Sequence, residues 1–356
     1  MSDSSEKISV LIPTYNRSNL LKDCINSVLN QTYQNLEIYV IDDCSSDNTE
    51  EIVKSFDSNK IVYLKNQKNI GSAMGDREHF RRFFYELMSG DYFIYITDDD
   101  YWPDDNFLKR CVDIFKKYPT ISSVIGSQLS EFYEEESSLS YRNILDIQEI
   151  IDNNQLNKFN MYFHKDLFET GFLTGKRYLN KFSENSTSIN ISVTGTVRRK
   201  KFCDGINYLV SKNPSKWQGG YEFNIPPAIL HDVYFINEPC VVARVAKENA
   251  SFRFTQFDHY MDSILSVNNA FFEVKDSYLY IKKNFIRSLS RAYISNSIHI
   301  LSGKKLSMTS KENNRRYVTV QDILKVYLDN KIIINYKDIN YFFKYFLIKF
   351  ISIFLK

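Results

Sequence analysis

Over residues 1–130, short apolar runs alternate with segments whose apolar positions recur every three to four residues. ISVLIPTYN (8–16) predicts a buried strand closing in a turn. Behind it, Leu20, Leu21, Cys24, Ile25, Val28 and Leu29 share one face of a helix that Ser18 or Asn19 can cap. LEIYVIDD (36–43) predicts a second strand, followed by a turn at 44–47 and a short helix over 49–56. KIVYLKN predicts a third strand, and 71–88 reads as a helix. YFIYITDDDYW (92–102) begins as a fourth strand, PDDNFLKRCVDIFKKY as a helix with Pro103 in its first turn, and ISSVIGS as a fifth strand. This alternation predicts a parallel, doubly wound α/β sheet, in which ligands bind beyond the carboxyl ends of the strands. The polar turns PTYNR, DDCSSDNT and TDDDYW should therefore meet on one rim.

The pattern changes further along. Residues 131–195 open with the acidic EFYEEESS and continue in helical patterns, and 196–245 return to short strands and loops. After about 250, three long amphipathic stretches predict a helical region. The organisation read from this is a nucleotide-binding and catalytic domain over 1–250, with 131–195 as a variable segment on the acceptor side, and a helical region over 251–356.

The charge balance is +2, which argues against a nucleic-acid binder working by bulk charge. Five widely spaced cysteines without a C-x-x-C pair argue against a disulfide framework or zinc site and fit a reducing compartment. The polar N-terminus has no apolar signal region, and no apolar run is long enough to predict a spanning helix. A cytoplasmic location is expected.

Three like charges at a strand tip, Asp98, Asp99 and Asp100, need a positive partner. A divalent cation with oxygen ligands would relieve their repulsion. Helix capping is the plainer alternative, and Asp104 and Asp105 are better placed for it.

Taken together, VLIPTYNR, VIDDCSSDNT and GDYFIYITDDD resemble the family 2 glycosyltransferases of the GT-A fold, over roughly 7–130 and more loosely over 195–245. The resemblance implies a mostly parallel doubly wound sheet flanked by helices. It also implies nucleotide-binding roles for Pro13, Thr14, Tyr15, Arg17, Asp42, Asp43 and Asp98, with Asp43 on a base imide and Asp98 towards ribose or metal. Asp99 is the implied main ligand of Mn²⁺ or Mg²⁺, with Asp100 beside it. The first acid of the family's usual motif falls here on Thr97.

A departing diphosphate needs a cation, and inversion by direct displacement needs a carboxylate to take the acceptor proton. Arg77 could add fixed charge at a helix start, or be a solvated surface arginine. KWQGGYEF resembles the family's later acidic segment, making Glu222 the base candidate, with Asp232 and Asp204 in reserve. Trp217 and Tyr221 could stack on a sugar ring or pack internally. The basic run Arg198–Lys201 reads either as a contact to an anionic acceptor or as a solvated turn, and His231 as a structural histidine.

The tail NYFFKYFLIKFISIFLK places Phe342, Phe343, Phe346, Leu347, Phe350, Ile353 and Phe354 on one helical face and Lys344, Lys349, Ser352 and Lys356 on the other. This predicts an interfacial helix on an inner-membrane surface, the alternative being a helix docked on its own domain or on a second subunit. The overall expectation is an inverting, metal-dependent transferase. It moves sugar from a nucleotide-diphosphate donor, UDP by default, to a glycan or lipid-linked acceptor in surface polysaccharide, lipopolysaccharide or capsule synthesis. The rival readings are a sugar-1-phosphate nucleotidyltransferase, disfavoured because LIPTYNR is not a glycine-rich phosphate loop, and a non-catalytic carbohydrate-binding scaffold at a membrane.

Overall fold

The computed structural model describes residues 6–71, 79, 81–133, 136, 139–163, 168–184, 193–203, 221–245, 256–271, 276–301 and 318–354, with backbone alone at 193, 221–224, 256–259, 299–301 and 350–354. Arg77, Asp204 and Trp217 lie outside the described residues, as do the side chains of Tyr221 and Glu222. The chain divides into two compact units. The first comprises Met1–Tyr178, Asn190–Lys212 and Glu222–Ala246, and the second Leu179–Ile189, Asn213–Tyr221 and Lys247–Lys356.

The first unit is built on a mixed, mostly parallel sheet. Its strands are β1 (Ile8–Thr14), β2 (Leu36–Asp42), β3 (Ile61–Lys65), β4 (Tyr92–Tyr95), β5 (Ile121–Phe132), β6 (Met161–Phe163), β7 (Gly171–Leu173), β8 (Thr196–Arg199) and β9 (Asp232–Val245). Their order is β3-β2-β1-β4-β8-β5-β9-β7, with β6 paired to β5. β3, β2, β1 and β4 run parallel, as the alternation predicts. All seven residues of β1 are buried, as expected of a central strand covered on both faces. β8 enters antiparallel between β4 and β5, and β9 lies parallel to β5 with register shifts around Gly126 and Ser127. Two successive antiparallel neighbours leave β5 and β9 pointing the same way as β4.

Helices α1 (Ser18–Leu29), α2 (Thr49–Ser55), α3 (Phe107–Lys117), α4 (Ile144–Asp152), α5 (Gly175–Glu184) and α6 (Tyr221–Leu230) follow in chain order. Leu21, Cys24, Ile25 and Val28 of α1 join Phe107, Leu108, Cys111 and Phe115 of α3 in one core with Ile8, Val10 and Ile12. Two helix starts differ from expectation. Ser18 does not cap α1 with its side chain. Its backbone N–H is instead accepted by Asp47, in the turn after β2 (3.1 Å). α3 begins at Phe107, beyond Pro103, because Asp104 accepts from the Asn106 N–H (2.9 Å) in a local turn that competes with helical winding.

The two arginines of the basic run are internal, whereas Lys201 is exposed. Arg198 is wholly buried and donates to the Thr196 carbonyl at 2.8 Å. The Arg199 guanidinium lies over the Tyr92 and Phe115 rings and donates to the Phe115 carbonyl. Neither arginine faces a solvated acceptor.

The second unit is helical, with α7 (Gln256–Ala270), α8 (Leu279–Leu301), α9 (Val320–Asp329) and α10 (Tyr336–Phe354). Asp338 of α10 is fully buried and clamped by Arg291 (2.8 Å) and Arg287 (3.4 Å) of α8. Tyr327 of α9 donates to the same carboxylate at 3.2 Å. Among the described residues no helix is long and apolar enough to cross a membrane.

Candidate active site

Parallel strands deliver their C-terminal turns to the same edge of the sheet. The turns after β1, β2 and β4 do meet there, and side chains stitch them together. Asn16, in the left-handed region at φ 52°, donates its N–H to the Ser45 hydroxyl and accepts from the Ser46 N–H (2.9 and 2.7 Å). Asp47 accepts from the backbone N–H groups of both Ser18 and Thr49, tying the starts of α1 and α2 to one carboxylate.

The positive partner of Asp98 and Asp99 is Arg17. Arg17, from the first turn, places Nη1 2.7 Å from Asp99 Oδ2 and 3.3 Å from Asp98 Oδ1. Asp98 also accepts from the Thr14 hydroxyl at 2.8 Å. Burial works against the Arg17 charge, but Asp98 and Asp99 outweigh it and raise its pKa. Burial pushes Asp98 up to about 6, against the opposing pull of Arg17. The family resemblance implies a nucleotide-binding role for Arg17; in this structure its guanidinium stands on the acids.

The three aspartates are not equivalent. Asp100 is enclosed by the Thr97 and Thr194 hydroxyls and the Arg244 N–H, and burial, with Asp99 next, lifts its pKa well above the ordinary carboxylate range. The donors come from Thr97, Thr194 and the end of β9, so the geometry turns Asp100 towards the fold. The following residues lock this turn down. Tyr101 bridges to Val242 of β9 through two backbone hydrogen bonds, and Trp102 donates its indole N–H to the Thr194 carbonyl at 3.0 Å.

Asp42 and Asp43 also differ. Asp42 is fully buried and accepts from the Ser45 N–H and the Tyr63 hydroxyl, holding the β2 turn against β3. The Asp43 carboxylate accepts from the N–H groups of Ile70 and Gly71 and from Asn66 Nδ2. Pro13 is buried within β1, whereas Tyr15 stands 46% exposed on the rim, the one aromatic of this turn available to a base or sugar.

Of the base candidates, Glu222 lies in the first turn of α6. Asp232 is not brought to the rim. It is the first residue of β9, at the opposite end of the sheet, where it accepts from the Gly175 N–H (3.1 Å) and caps α5.

Sequence reasoning missed one group that the fold brings in. Arg244, at the end of β9, is buried over the Tyr101 ring, donates to Asp23 of α1 (2.8 Å) and faces Glu131 at 3.8 Å. Arg142 closes on the other oxygen of Glu131. The signal was a charge ending the apolar run VVARV, but its partners lie more than 100 residues away. Tyr133, whose pKa is pushed up to about 12 by burial and by Asp99, is also near these acids.

The donor set can be tested against a divalent ion. Hard carboxylate oxygens suit Mg²⁺ or Mn²⁺, and Asp98 and Asp99 already share one cationic partner. Among the described residues no three acid, histidine or cysteine side chains form a ready-made cage. The oxygen chemistry of Asp98 and Asp99 fits such an ion, with other oxygen donors needed to complete it.

The mixed, mostly parallel sheet with its flanking helices is of the GT-A class. The fold bears this out: residues 1–349 of S. aureus TarS superpose with a TM-score of 0.54 at 14% identity, covering 84% of this chain and 76% of TarS. Residues 9–183 match the Glycosyl transferase family 2 profile, and through this segment the chain belongs to that family. Glycosyltransferase GlyA of Streptococcus pneumoniae is 31% identical over 142 residues, 39% of this chain and 19% of GlyA. A Bacillus subtilis relative named for teichuronic acid biosynthesis, TuaG, is 28% identical over 150 residues, 39% of this chain and 56% of the relative. The GalNAc(5)-diNAcBac-PP-undecaprenol beta-1,3-glucosyltransferase of Campylobacter jejuni is 36% identical over 96 residues, 26% of this chain and 30% of that enzyme. The chain thus spans about a fifth to about half of the length of these relatives.

Proposed function

We propose that the chain transfers a sugar from a nucleotide-diphosphate donor to a hydroxyl of a surface-glycan acceptor, with inversion at the anomeric carbon. The observation that carries this reading is the pairing of Arg17 with Asp98 and Asp99 at the C-terminal rim of β1 and β4. Acids buried there cost free energy that a counterion must offset, which suits a site built for a charged donor. Tyr15 offers a face to the base. Asp98, fixed by Thr14, is placed for the ribose hydroxyls, and Arg17 is within reach of a diphosphate once it leaves the acids.

Asp99 would hold Mn²⁺ or Mg²⁺, which when bound supplies the positive charge that stabilises a leaving diphosphate. Glu222 takes the proton of the acceptor hydroxyl as that oxygen attacks the anomeric carbon and the bond to the diphosphate breaks. UDP is taken as the nucleotide; the TarS fragment has been solved with UDP-GlcNAc. The acceptor is a lipid-linked or growing polysaccharide chain; a lipid-linked glycan is named in the Campylobacter jejuni relative. The reaction is assigned to the cytoplasmic face of the inner membrane. Residues 131–195 are assigned to acceptor choice.

A thermal-shift screen of nucleotide sugars with and without Mn²⁺ tests the reading. Stabilisation by one diphosphate sugar, larger when metal is present, supports it; no response to any donor returns the chain to the scaffold class.

A further inference from the structure

Helix α10 carries two apolar stripes. The first docks it within its own unit: Asp338 and Tyr345 are buried, with Tyr341, Phe342 and Ile348 partly covered. The second faces outward. Tyr336, Ile339, Phe343, Phe346 and Leu347 are 70, 57, 67, 54 and 47% exposed. At about 100° per residue they occupy an arc of roughly 100°, opposite the docked face. Five large apolar side chains aligned on one exposed helix face exceed the scatter of single hydrophobic residues normal on a surface.

The charges around this stripe point to what covers it. Lys337 and Lys344 flank one edge and Lys349 the other, and all three are exposed. The sole acid from 331 to 349 is Asp338, buried under Arg287 and Arg291. The outward half of the helix therefore presents aromatics between two lysine edges and no carboxylate. A second copy packed stripe to stripe would set lysines against lysines. An acyl-chain boundary beneath anionic headgroups accepts both features, with lysine stems reaching up to the phosphates. Its charges do not suit crossing: Lys337, Asp338, Lys344 and Lys349 lie within the 19 residues of α10, and among the described residues no helix is long and apolar enough to span.

We propose that the outward face of α10 is a docking surface for anionic lipid, holding the helix in the plane of the bilayer interface. The inference does not depend on the transfer reading, because the stripe and its charges belong to the second unit alone.

The test is co-sedimentation of the full chain with vesicles of phosphatidylcholine alone and of phosphatidylcholine with phosphatidylglycerol. Binding should be strong only to the anionic vesicles and should weaken with added salt. Phe343→Ser with Phe346→Ser should abolish it while leaving the circular dichroism spectrum and melting midpoint unchanged, since both side chains are exposed. Lys344→Ala should lower the partition coefficient roughly fivefold, the size of one surface lysine's attraction to an anionic leaflet. Two results overturn the proposal: the unaltered chain staying in the supernatant with both vesicle types, or sedimentation velocity showing a dimer that the Phe343→Ser, Phe346→Ser variant dissolves.

Discussion

Arg17→Ala removes the cation paired with Asp98 and Asp99. The contacts are 2.7 and 3.3 Å, the acids are 8% exposed and the arginine 27%. At an effective dielectric of about 20, attractions at such distances are roughly 5–6 kcal/mol each before desolvation is subtracted. Net losses are about 0–1 kcal/mol for exposed pairs and about 3–5 kcal/mol for buried ones broken from one side. This pair lies between, so the variant should lose about 2–4 kcal/mol. For a domain of this size that lowers the melting midpoint by roughly 5–15 °C. Trp102, buried behind the same turn, gives the fluorescence readout. Titrating Mn²⁺ should then raise the midpoint of the variant more than that of the unaltered chain. The acids no longer have to release a guanidinium first, and an ion at a hundred times its dissociation constant contributes about 2.7 kcal/mol. A variant that melts within a degree of the parent and responds no more strongly to Mn²⁺ refutes the counterion argument.

Further outcomes follow from other parts of the structure. Asp99→Asn and Glu222→Gln should each abolish sugar transfer in a radiolabelled-donor assay, and Glu222→Gln should still bind donor in calorimetry. Asp232→Asn should keep turnover and lose about 0.5–2 kcal/mol of stability in urea unfolding, because its carboxylate caps α5. A Cβ at Gly175 would lie 1.9 Å from the Ala228 carbonyl and 2.4 Å from that of His231, so Gly175→Ala should cost about 1–3 kcal/mol or more, read as a fall in melting midpoint. Arg199→Ala should destabilise by a similar amount without changing donor affinity, since its partners Tyr92 and Phe115 are internal.

The half of the sheet from β1 to β4 was legible because its order follows from local alternation and right-handed crossovers. β8 was not, because a four-residue strand pairing with residues more than 70 positions earlier leaves no periodic trace. The acids were legible as a group, since charge at the end of an apolar run is conspicuous. Which acid faces a ligand was not: Asp98, Asp99 and Asp100 are adjacent in sequence, and only Thr97, Thr194 and Arg244 decide that Asp100 turns inward. Arg17 could be assigned to a turn but not to a partner, because a long side chain reaches several. On α10 the pattern gave one apolar face, whereas the fold divides those residues between two. Tyr345, left out of that face, is buried, and Phe343 within it is exposed. An almost uniformly apolar helix does not declare which side its neighbours take.

The knot of Asp23, Glu131, Arg142 and Arg244 joins α1, the end of β5 and the end of β9. Its last member in the first half of the chain is Arg142, and α4 begins two residues later. The stretch that follows starts from this fastened point and rejoins the sheet at β6 and β7, so a loop between those elements can lengthen without loosening the ends of β5 and β9. On the transfer reading proposed above, a lineage can exchange the acceptor it takes while inheriting unchanged the half assigned to the donor.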